Sequence, residues 1–432
     1  MNMLPLANSC NIFVAQQNSA PPLVDWSGLP TLVLLVAAVV AATAVAVRAV
    51  ETRPKGLPGP PALPLLGTRW LFWSRYKMNK LHEAYADMLR RYGPVFAECT
   101  PGGVAVVSIA DRTALEAVLR TPAKRPYRPP TEIVQVYRRS RPDRYASTGL
   151  VNEQGEKWHH LRRHLTAELT SPHTMHSFLP LLNSTSDDFL ALLQACRAPD
   201  GTVLGFDQLT NRMGLESVCG LMLGTRLGFL ERCMNIGATR KRRDRFHSTA
   251  GIETLANSLV FLLYLLSGRP DWQERIRSEV PCSGELHAKD IAAAPSVRAA
   301  AMEAFRLLPT APFLARLLEA PMNVAGHKLP AGTFVLAHTG AACRHEENFW
   351  RADEYLPERW VTVRSPHAAA LVAPFGRGRR MCPGKRFVES ELYLLLAKIM
   401  QRWRVEYDGE LDIQFDFLLS PKSPVSLRLV EW

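Results

Sequence analysis

The sequence has few cysteines, and their arrangement does not indicate a disulfide framework. Eight cysteines are spread over 432 residues, and none forms a Cys-x-x-Cys pair. Small secreted domains held by disulfides have closely spaced cysteines, so that class of protein is excluded. We therefore expect a reducing compartment. The cysteines lie at positions 10, 99, 196, 219, 233, 282, 343 and 382.

Lysine and arginine are absent before Arg48, which disfavours two kinds of targeting segment. A cleaved secretory signal has a positive n-region, and a mitochondrial presequence is rich in arginine. The nineteen residues Leu29–Val47 carry no charge and are long enough for one membrane-spanning helix. Positive residues follow at Arg48, Arg53 and Lys55. We therefore expect residues 1–50 to hold a single anchor, with the rest of the chain on the cytosolic side.

Acidic residues are outnumbered by basic ones, 40 against 52, which gives the chain a net charge of +12 at pH 7. A positive surface attracts anionic partners, such as an acidic electron-transfer protein, a membrane surface or nucleic acid. No fold signature for nucleic-acid binding occurs, so nucleic acid is not an expected partner.

A stretch rich in proline and glycine separates the apolar segment from the body. Gly56–Pro61 cannot continue a helix, and residues 51–61 are expected to form a stiff hinge before the body at 62–432. Helical periodicity dominates the body, as in Met78–Tyr92, whereas the alternating run Val104–Ser108 is typical of a strand. The predicted fold class is mainly α with small β-sheets, an α+β fold.

Cys382 lies in a loop whose composition suits a metal-binding thiolate. Gly376, Gly378 and Gly384 allow tight turns and close approach to a flat ligand. The helix expected to follow, from Phe387 to Trp403, points its positive N-terminal end at the sulfur, so the thiol is expected to ionise easily. For a lone cysteine, a buried structural role would be at least as common. The loop also carries basic residues that favour a thiolate and could pair with ligand carboxylates, namely Arg377, Arg379, Arg380, Lys385 and Arg386.

The residues around the cysteine match the pattern Phe-x-x-Gly-x-Arg-x-Cys-x-Gly, which resembles the haem-binding loop of the cytochrome P-450 family. The pattern is met by Phe375, Gly378, Arg380, Cys382 and Gly384. This resemblance implies the P-450 fold and a haem b cofactor, with Cys382 as the axial ligand of the iron and Phe375 and Arg380 beside the haem. In that family the thiolate pushes electron density toward the O–O bond during oxygen activation.

The same resemblance implies further contacts with the cofactor. Trp158 and Arg162 are four residues apart, share one helix face, and look like the family's Trp-x-x-x-Arg pair, which reaches a haem propionate. An indole N–H and a guanidinium are good donors for a carboxylate. Arg316 looks like the family's arginine that reaches the other propionate. His160 and His164 also have metal-compatible spacing, but without a third ligand a solvated helix face is more frequent.

Glu303, Arg306 and Arg359 look like the family's buried structural triad. Glu303 and Arg306 are three apart on a predicted helix, a spacing that by itself indicates an ordinary ion pair. With Arg359 they resemble the Glu-x-x-Arg and Pro-x-Arg elements of the family. All three should be needed, because an unpartnered buried charge is costly.

Residues 250–254 resemble the family's oxygen-activation motif on the long central helix. There, Ala250 and Gly251 lie where O2 needs room over the iron, while the hydroxyl of Thr254 and the carboxylate of Glu253 relay protons. Taken alone, a kinked helix with an exposed glutamate would be the more frequent interpretation.

Upstream of this motif the pattern fails. In the family about four turns of apolar-faced helix precede it, yet Arg240–Arg245 is a basic run. Only 87 residues separate Arg162 from Ala250, an interval that in the family holds the helices roofing the substrate pocket. We infer that part of the roof and the first half of the central helix are missing. Residues 232–249 are interpreted as a deletion or foreign stretch, from alternative splicing or an imperfect gene model, with a nuclear-localisation patch as the alternative.

Residues that follow the cysteine loop resemble the mitochondrial clan of the family. Its members carry a basic pair and a glutamate, here Lys385, Arg386 and Glu389. Arg298 occupies one of two basic positions of the clan's donor-binding helix, whereas Met302 occupies the other. One of the two positions thus supports a ferredoxin-type electron donor, and a diflavin reductase is the alternative. The anchor favours the endoplasmic reticulum membrane, whereas the clan indicates the mitochondrial inner membrane.

These resemblances predict a haem-thiolate monooxygenase that hydroxylates a steroid. It would insert one oxygen of O2 into a C–H bond, using two electrons from a redox partner. Cys382 would hold the iron, and Thr254 with Glu253 would deliver protons. The alternative is a non-catalytic truncated isoform that binds haem poorly or competes for redox partners.

Overall fold

The computed structural model of the chain describes residues 33–40 and 54–432, except for residues 55, 64, 102, 121–123, 232–250, 283 and 363–367. Two units are distinguished, Met1–Val50 and Glu51–Trp432. In the first, residues 33–40 are helical and exposed, and the remainder of the predicted anchor at 29–47 lies outside the described residues. No helix among the described residues combines the length and the apolar character needed to span a bilayer. Ala250 and the stretch 232–249 also lie outside the described residues.

The second unit is mainly helical. Its described helices, numbered in chain order, are α1 Leu71–Ser74, α2 Leu81–Tyr92, α3 Arg112–Leu119, α4 Glu132–Arg139, α5 Gly155–Thr170, α6 Pro172–Cys196, α7 Phe206–Leu223, α8 Ile252–Ser267, α9 Pro270–Glu279, α10 Ala288–Ala292, α11 Pro295–Leu307, α12 Thr339–Ala342, α13 Ala368–Leu371 and α14 Lys385–Arg402. Short 3-10 turns occur at Met78–Lys80, Pro357–Trp360 and Gly378–Arg380.

The strands form small sheets. They are β1 Val95–Cys99, β2 Ala105–Ile109, β3 Thr202–Val203, β4 Leu314–Leu317, β5 Met322–Val324, β6 His327–Leu329, β7 Phe334–Ala337, β8 Trp403–Glu406, β9 Ile413–Asp416, β10 Leu418–Pro421 and β11 Leu427–Glu431. One sheet has the order β1-β2-β7-β4 and another the order β3-β11-β8, while β5 with β6 and β9 with β10 form two-stranded pairs. In the largest sheet β2 and β7 run parallel, and the other neighbours are antiparallel.

Helix ends follow from local sequence. The carboxylate of Asp111 accepts the N–H of Ala114 at 2.7 Å and so caps α3. Pro172 and Pro295 lie in the first turns of α6 and α11, where a missing N–H costs no intrahelical hydrogen bond. Gly224 ends α7 in the left-handed conformation, which glycine adopts without steric cost.

Two apolar helices organise the core of the second unit. Leu255, Leu259 and Leu263 of α8 are completely buried, as are Leu394 and Leu395 of α14. All five belong to one hydrophobic cluster that also contains residues of β2 and β7. The core therefore fixes α8, whose first turn carries part of the predicted oxygen-activation motif, and α14, which follows the cysteine loop.

Part of the predicted hinge at 51–61 lies against the second unit. Leu57 is 5% exposed, and the carbonyl oxygen of Pro58 accepts the N–H of Ala97 at 2.8 Å. A Cβ on Gly59 would come within 2.0 Å of the carbonyl oxygen of Ala97, so only glycine fits there. The chain thus joins the body by Leu57, and a free hinge remains a prediction only for the residues before it.

The predicted fold class, mainly α with small sheets, is confirmed by these elements. Met78–Tyr92 consists of a 3-10 turn followed by α2, and the strand predicted at Val104–Ser108 is β2, one residue further on. The central helix α8 begins, in the described part of the chain, at Ile252.

Candidate functional site

The loop before α14 holds Cys382 by a backbone hydrogen bond and two left-handed glycines. Gly376 and Gly378 have φ angles of 72° and 69°, which other residues rarely adopt. A Cβ on Gly378 would also stand 3.0 Å from the carbonyl oxygen of Leu119. The N–H of Cys382 donates to the carbonyl oxygen of Phe375 at 2.8 Å. These constraints fix where the sulfur lies.

Burial governs the thiol of Cys382. Burial raises its pKa, and this effect is opposed by the N–H of Gly384, which donates to the sulfur, and by the charges of Arg162 and Arg128. The prediction that this thiol ionises easily is wrong for the chain without a bound metal. Desolvation disfavours the thiolate more than the Gly384 N–H and the two arginines favour it. Coordination would reverse that order, since a thiol bound to a metal ion is deprotonated.

Four buried or half-buried arginines lie close enough to influence one another beside the cysteine loop: Arg128, Arg162, Arg316 and Arg380. Burial lowers the pKa of each, and it lowers the pKa of Arg316 and of Arg380 to about 10. Repulsion by the other three lowers the pKa of Arg380 further, and the Glu319 carboxylate opposes this. Within the described ranges, none of the four forms an ion pair with a carboxylate.

Arg380 is held by oxygen acceptors and an aromatic ring. Its Nε donates to the carbonyl oxygen of Pro126 at 2.8 Å, its Nη1 to that of Glu153 at 3.1 Å, and its Nη2 to Gln154 Oε1 at 2.5 Å. The guanidinium carbon lies 4.0 Å from the ring centroid of Trp158, which is 2% exposed. A cation over the indole face is favourable, so Trp158 also positions the charge of Arg380.

The residues of this region fit a flat ligand that carries two carboxylates. Buried cations without carboxylate partners are unfavourable, and ligand carboxylates would supply charge-assisted hydrogen bonds to them. Phe375 adds an apolar surface, since its ring packs against that of Phe305 with the centroids 5.4 Å apart. A haem has both the flat ring that the glycine loop admits and two propionates, so the residues present fit that group.

Glu303 lies at the centre of an ionic network in which it and Arg306 are completely buried. Arg306 donates to its carboxylate at 2.8 and 2.9 Å, and Arg359 Nε donates to it at 3.1 Å. The indole N–H of Trp360 and the backbone N–H of Leu356 donate at 2.9 and 3.0 Å. The structure therefore brings the three predicted triad residues together, and it adds two donors that the sequence did not suggest.

The predicted oxygen-activation residues lie at the start of α8 in the described structure. The helix begins at Ile252, directly after Gly251, so Glu253 and Thr254 occupy its first turn, where both are half-buried. Ala250 lies outside the described residues. Because α8 contacts α14, these residues and the cysteine loop are on neighbouring elements. Their role in proton delivery stays a prediction.

The residues predicted to bind the redox partner surround one glutamate. Burial raises the pKa of Glu389, and the charges of Lys385, Arg298 and Arg386 oppose that rise. Lys385 Nζ lies 3.8 Å from the Glu389 carboxylate, while Arg298 and Arg386 are exposed. The three basic residues therefore form one positive surface beside the first turn of α14.

Two residues of the site carried no signal in the sequence. Arg128 lies in an Arg-Pro-Pro segment outside the helices and strands, so no periodicity of the sequence predicts where its side chain points. Gln154 is the residue before the first turn of α5 and belongs to none of the patterns considered. Both are recognised only because tertiary folding brings them to Arg380.

The chain matches the family model described as "Cytochrome P-450" in two segments, residues 57–248 and 247–428. Ecdysone 20-monooxygenase of Drosophila melanogaster is 39% identical over 475 positions, which cover 86% of this chain and 88% of that protein. The mitochondrial 1,25-dihydroxyvitamin D(3) 24-hydroxylase of Mus musculus is 26% identical, covering 81% of this chain and 83% of that protein. The mitochondrial sterol 26-hydroxylase of Rattus norvegicus is 25% identical, covering 87% and 88%.

The match to the family is interrupted in the middle of the chain. The two matched segments meet at residues 247–248, at the end of the stretch that the sequence marks as unusual. Since 86% of 432 residues is about 372, about 100 of the 475 positions aligned with the Drosophila protein hold no residue of this chain.

Proposed function

This chain belongs to the cytochrome P-450 family and is a monooxygenase, and from that premise we propose that it hydroxylates a steroid, converting ecdysone to 20-hydroxyecdysone. The observation that carries the proposal is the 39% identity to an ecdysone 20-monooxygenase over most of both chains. The other relatives described above act, by their names, on a vitamin D compound and a sterol. A polycyclic, steroid-like substrate is therefore common to all three.

We propose that haem b binds between the cysteine loop and the arginines, with Cys382 as the axial ligand. A haem bound in this way supplies the activation of O2. Arg128, Arg162 and Arg316 would bind the propionates together with Arg380 and the indole N–H of Trp158, because they are cations and donors placed without carboxylate partners. The ring of Phe375 would pack on the haem face.

The start of α8 is the proposed site of proton delivery. The Thr254 hydroxyl and the Glu253 carboxylate can hold and pass protons, and both are half-buried, where water is partly excluded. The Val218 side chain lies beside Gly251, since a Cβ there would come within 3.3 Å of Val218 Cγ2, so a larger residue than glycine would crowd the start of the helix. The described first turn of α8 is the element that holds these residues in place.

For the electron donor we propose an acidic, ferredoxin-type protein. The support is the positive surface made by Arg298, Lys385 and Arg386, which is complementary to an acidic partner and lies beside the cysteine loop. The mitochondrial relatives favour the same choice, and we therefore propose the mitochondrial inner membrane as the location. The endoplasmic reticulum, which the apolar segment favoured, finds no support among those relatives, and a diflavin reductase becomes the less favoured donor.

We further propose that this form lacks an internal block of the family near residue 248. The interrupted match and the unfilled alignment positions support a deletion. Because the first matched segment runs to residue 248, residues 232–248 themselves align with the family, which favours a deletion over a foreign stretch. Helix α4 is consistent with lost cover: Ile133 and Val136 are 75% and 67% exposed, and none of its residues is buried.

That exposed helix favours a second candidate function. A form without its pocket roof would hold a haem poorly and would act as a non-catalytic competitor for the redox partner. The positive surface at Arg298, Lys385 and Arg386 does not depend on the roof, so binding of a donor would persist when hydroxylation is lost.

The test is the absorption spectrum of the reduced, CO-treated chain, followed by turnover of ecdysone. We expect thiolate-type haem absorption in the wild type, its loss in Cys382→Ser, and its retention in Cys219→Ser and Cys343→Ser, which replace two other buried cysteines. If thiolate-type haem absorption persisted in Cys382→Ser, Cys382 would not be the axial ligand. A haem-loaded chain, with the missing block restored, that hydroxylates other steroids but not ecdysone would remove the proposed substrate.

A further inference from the structure

Gln154 connects three segments that meet beside the cysteine loop. Its Oε1 accepts from Arg380 Nη2 at 2.5 Å and from the backbone N–H of Arg128 at 3.3 Å. Its Nε2 donates to the carbonyl oxygen of Arg128 at 2.6 Å and to that of Asn152 at 3.2 Å. Its own carbonyl oxygen accepts the N–H of Trp158, at the start of α5. One side chain thus holds the Arg128 segment, the cysteine loop and the start of the helix that carries Trp158.

The amide is uncharged, and this distinguishes it from the usual partner of a buried arginine. The other acceptors of Arg380 are the carbonyl oxygens of Pro126 and Glu153, which are also neutral. A carboxylate in the same place would accept the same hydrogen bonds and would cancel a positive charge. With the amide, Arg380 is held in place and its full charge acts on whatever binds beside Cys382 and Trp158.

We propose that Gln154 is a positioning residue that aims Arg128 and Arg380 at the haem site while leaving both positive charges uncompensated, so that the site retains the haem carboxylates and favours the reduced iron. The inference rests on the proposed haem site. Gln154 acts through the two arginines, since its own polar atoms are used by Arg380, Arg128 and Asn152.

The test compares Gln154→Glu with Gln154→Met and with Gln135→Glu. Glutamate has the size of glutamine and adds one negative charge, whereas methionine has a similar length and adds none. Gln135 is the matched control, because its Nε2 donates to the carbonyl oxygen of Asn152 at 3.3 Å, close to the same loop. Among the described residues, its side chain has no hydrogen bond to an arginine. Haem loss to an excess of a haem-scavenging globin and the one-electron reduction of the bound haem are measured on each purified chain.

We expect Gln154→Glu to lose haem about tenfold faster than the wild type, because one added charge inside a protein changes such an equilibrium by about this factor. At a fixed ambient potential its ratio of reduced to oxidised haem should fall about tenfold, which is about 59 mV for a one-electron couple. Gln135→Glu should stay within about threefold of the wild type in both measurements, because it does not neutralise Arg380. Gln154→Met should lose haem severalfold faster, because it removes the hydrogen bonds that position Arg128 and Arg380, but its ratio of reduced to oxidised haem should stay within about threefold, because it adds no charge.

Three results would overturn the inference. Equal effects of Gln154→Glu and Gln154→Met on the reduction of the haem would show that the missing charge does not matter, and wild-type behaviour of Gln154→Glu would show no role. If Gln154→Glu does not fold, because its carboxylate cannot donate to the carbonyl oxygens of Arg128 and Asn152 as the amide does, Gln154→Met decides, and wild-type haem retention in that variant would overturn the inference. A wild-type chain that binds no haem would instead remove the proposed haem site, and the inference with it.

Discussion

At the scale of single residues, Arg306 is unusual because its charged side chain is buried. It is completely buried, and besides Glu303 its guanidinium donates to the carbonyl oxygens of Cys343, Ala352 and Glu354. Every donor nitrogen therefore has an acceptor, which is the condition under which a charge can be buried at all. The network joins α11 to the segment around Leu356, so breaking it should lower the stability of the fold.

We expect Glu303→Ala to destabilise the fold by about 3–5 kcal/mol, because it leaves the buried charge of Arg306 without its counter-ion. Urea unfolding followed by circular dichroism measures this. Glu354→Ala is the control, since that carboxylate pairs with Arg351 at the surface, and its removal should leave the midpoint nearly unchanged. Equal shifts in the two variants would show that the network does not carry the stability assigned to it.

Arg128 allows a test of the proposed haem contacts that does not touch the cysteine. We expect Arg128→Ala to lose haem about 10- to 100-fold faster than the wild type, the effect of removing one hydrogen bond to a charged group. The measurement is the rate of haem transfer to a scavenging globin. Arg125→Ala is the control, because Arg125 pairs with Glu156 and is exposed. Equal rates for both variants would exclude Arg128 as a propionate ligand.

The sequence predicted the cysteine loop because its chemistry is local: the glycines and the cysteine lie within eleven residues, Pro374–Gly384, and a helix starts directly after them. It also paired Glu303 with Arg306, since helical spacing decides which side chains can meet. It did not predict Arg128 or Gln154, because their neighbours are set by tertiary folding. The ionisation of Cys382 was misjudged for a similar reason, since desolvation depends on packing that no motif reports.

At the scale of elements, α14 and α7 meet through a buried carboxyl group. Glu391 of α14 is 1% exposed, and it accepts a hydrogen bond from the hydroxyl of Ser217 in α7. Its other oxygen has no hydrogen-bond partner in the described structure. Burial raises the pKa of Glu391 from 4.5 to about 8, so the carboxyl group is protonated at neutral pH.

This proton links stability to pH. The folded chain keeps a proton that the unfolded chain releases above about pH 4.5, so stability should fall as the pH rises from about 4.5 to about 8 and change no further above that. We expect Glu391→Gln, which mimics the protonated form, to weaken this dependence. Glu98, whose pKa burial raises to about 7, should account for part of the remainder.

Urea unfolding at several pH values between 5 and 8.5 is the measurement, with the exposed Glu410→Gln as the control. The control should keep the wild-type dependence on pH. If Glu391→Gln kept it too, the buried carboxyl group would not be the source.

Element positions could be predicted closely where periodicity is local. The helix after the cysteine loop was expected from Phe387 to Trp403 and is found at Lys385–Arg402. Strand pairing could not be predicted, because the parallel partners β2 and β7 are far apart in the sequence and their register depends on the core between them. The attachment of Leu57–Gly59 to β1 was missed for the same reason, since a Pro-Gly stretch looks identical whether free or bound.

At the scale of the whole molecule, the proposed deletion bears on how well this form hydroxylates its substrate. The roof of a monooxygenase pocket excludes water and orients the substrate, and both are lost without it. Exposed apolar surface should also lower stability, since a few hundred Å2 at ~25 cal/mol per Å2 is comparable with a typical net stability of roughly 5 to 15 kcal/mol.

We therefore expect the 432-residue form to give little or no hydroxylated ecdysone while still consuming reducing equivalents. The same chain with a block of family length inserted near residue 248, between Glu231 and Ala250, should regain hydroxylation. Product per electron consumed is the quantity to measure. Equal and tightly coupled turnover by the two forms would show that no essential block is missing.

The proposed location is tested on the intact chain. We expect it to fractionate with mitochondria, to become protected from added protease on import, and to resist carbonate extraction. A matched form without residues 1–50, which lacks the predicted anchor, should be released by carbonate. Recovery of the intact chain in microsomes, with its body open to protease, would instead favour the endoplasmic reticulum.

The contact of Leu57, Pro58 and Gly59 with β1 bears on aggregation. In the four-stranded sheet β1 is an edge strand, and the carbonyl oxygen of Pro58 occupies the N–H of Ala97 on its outer side. Unpaired edges are templates on which other chains add strands, and proline is one of the residues that block such addition. A shortened chain that begins at Gly56 keeps the hydrogen bond between Pro58 and Ala97. One that begins at Ala62 loses it, leaves the outer edge of β1 unpaired and should form oligomers in which strands of different chains pair.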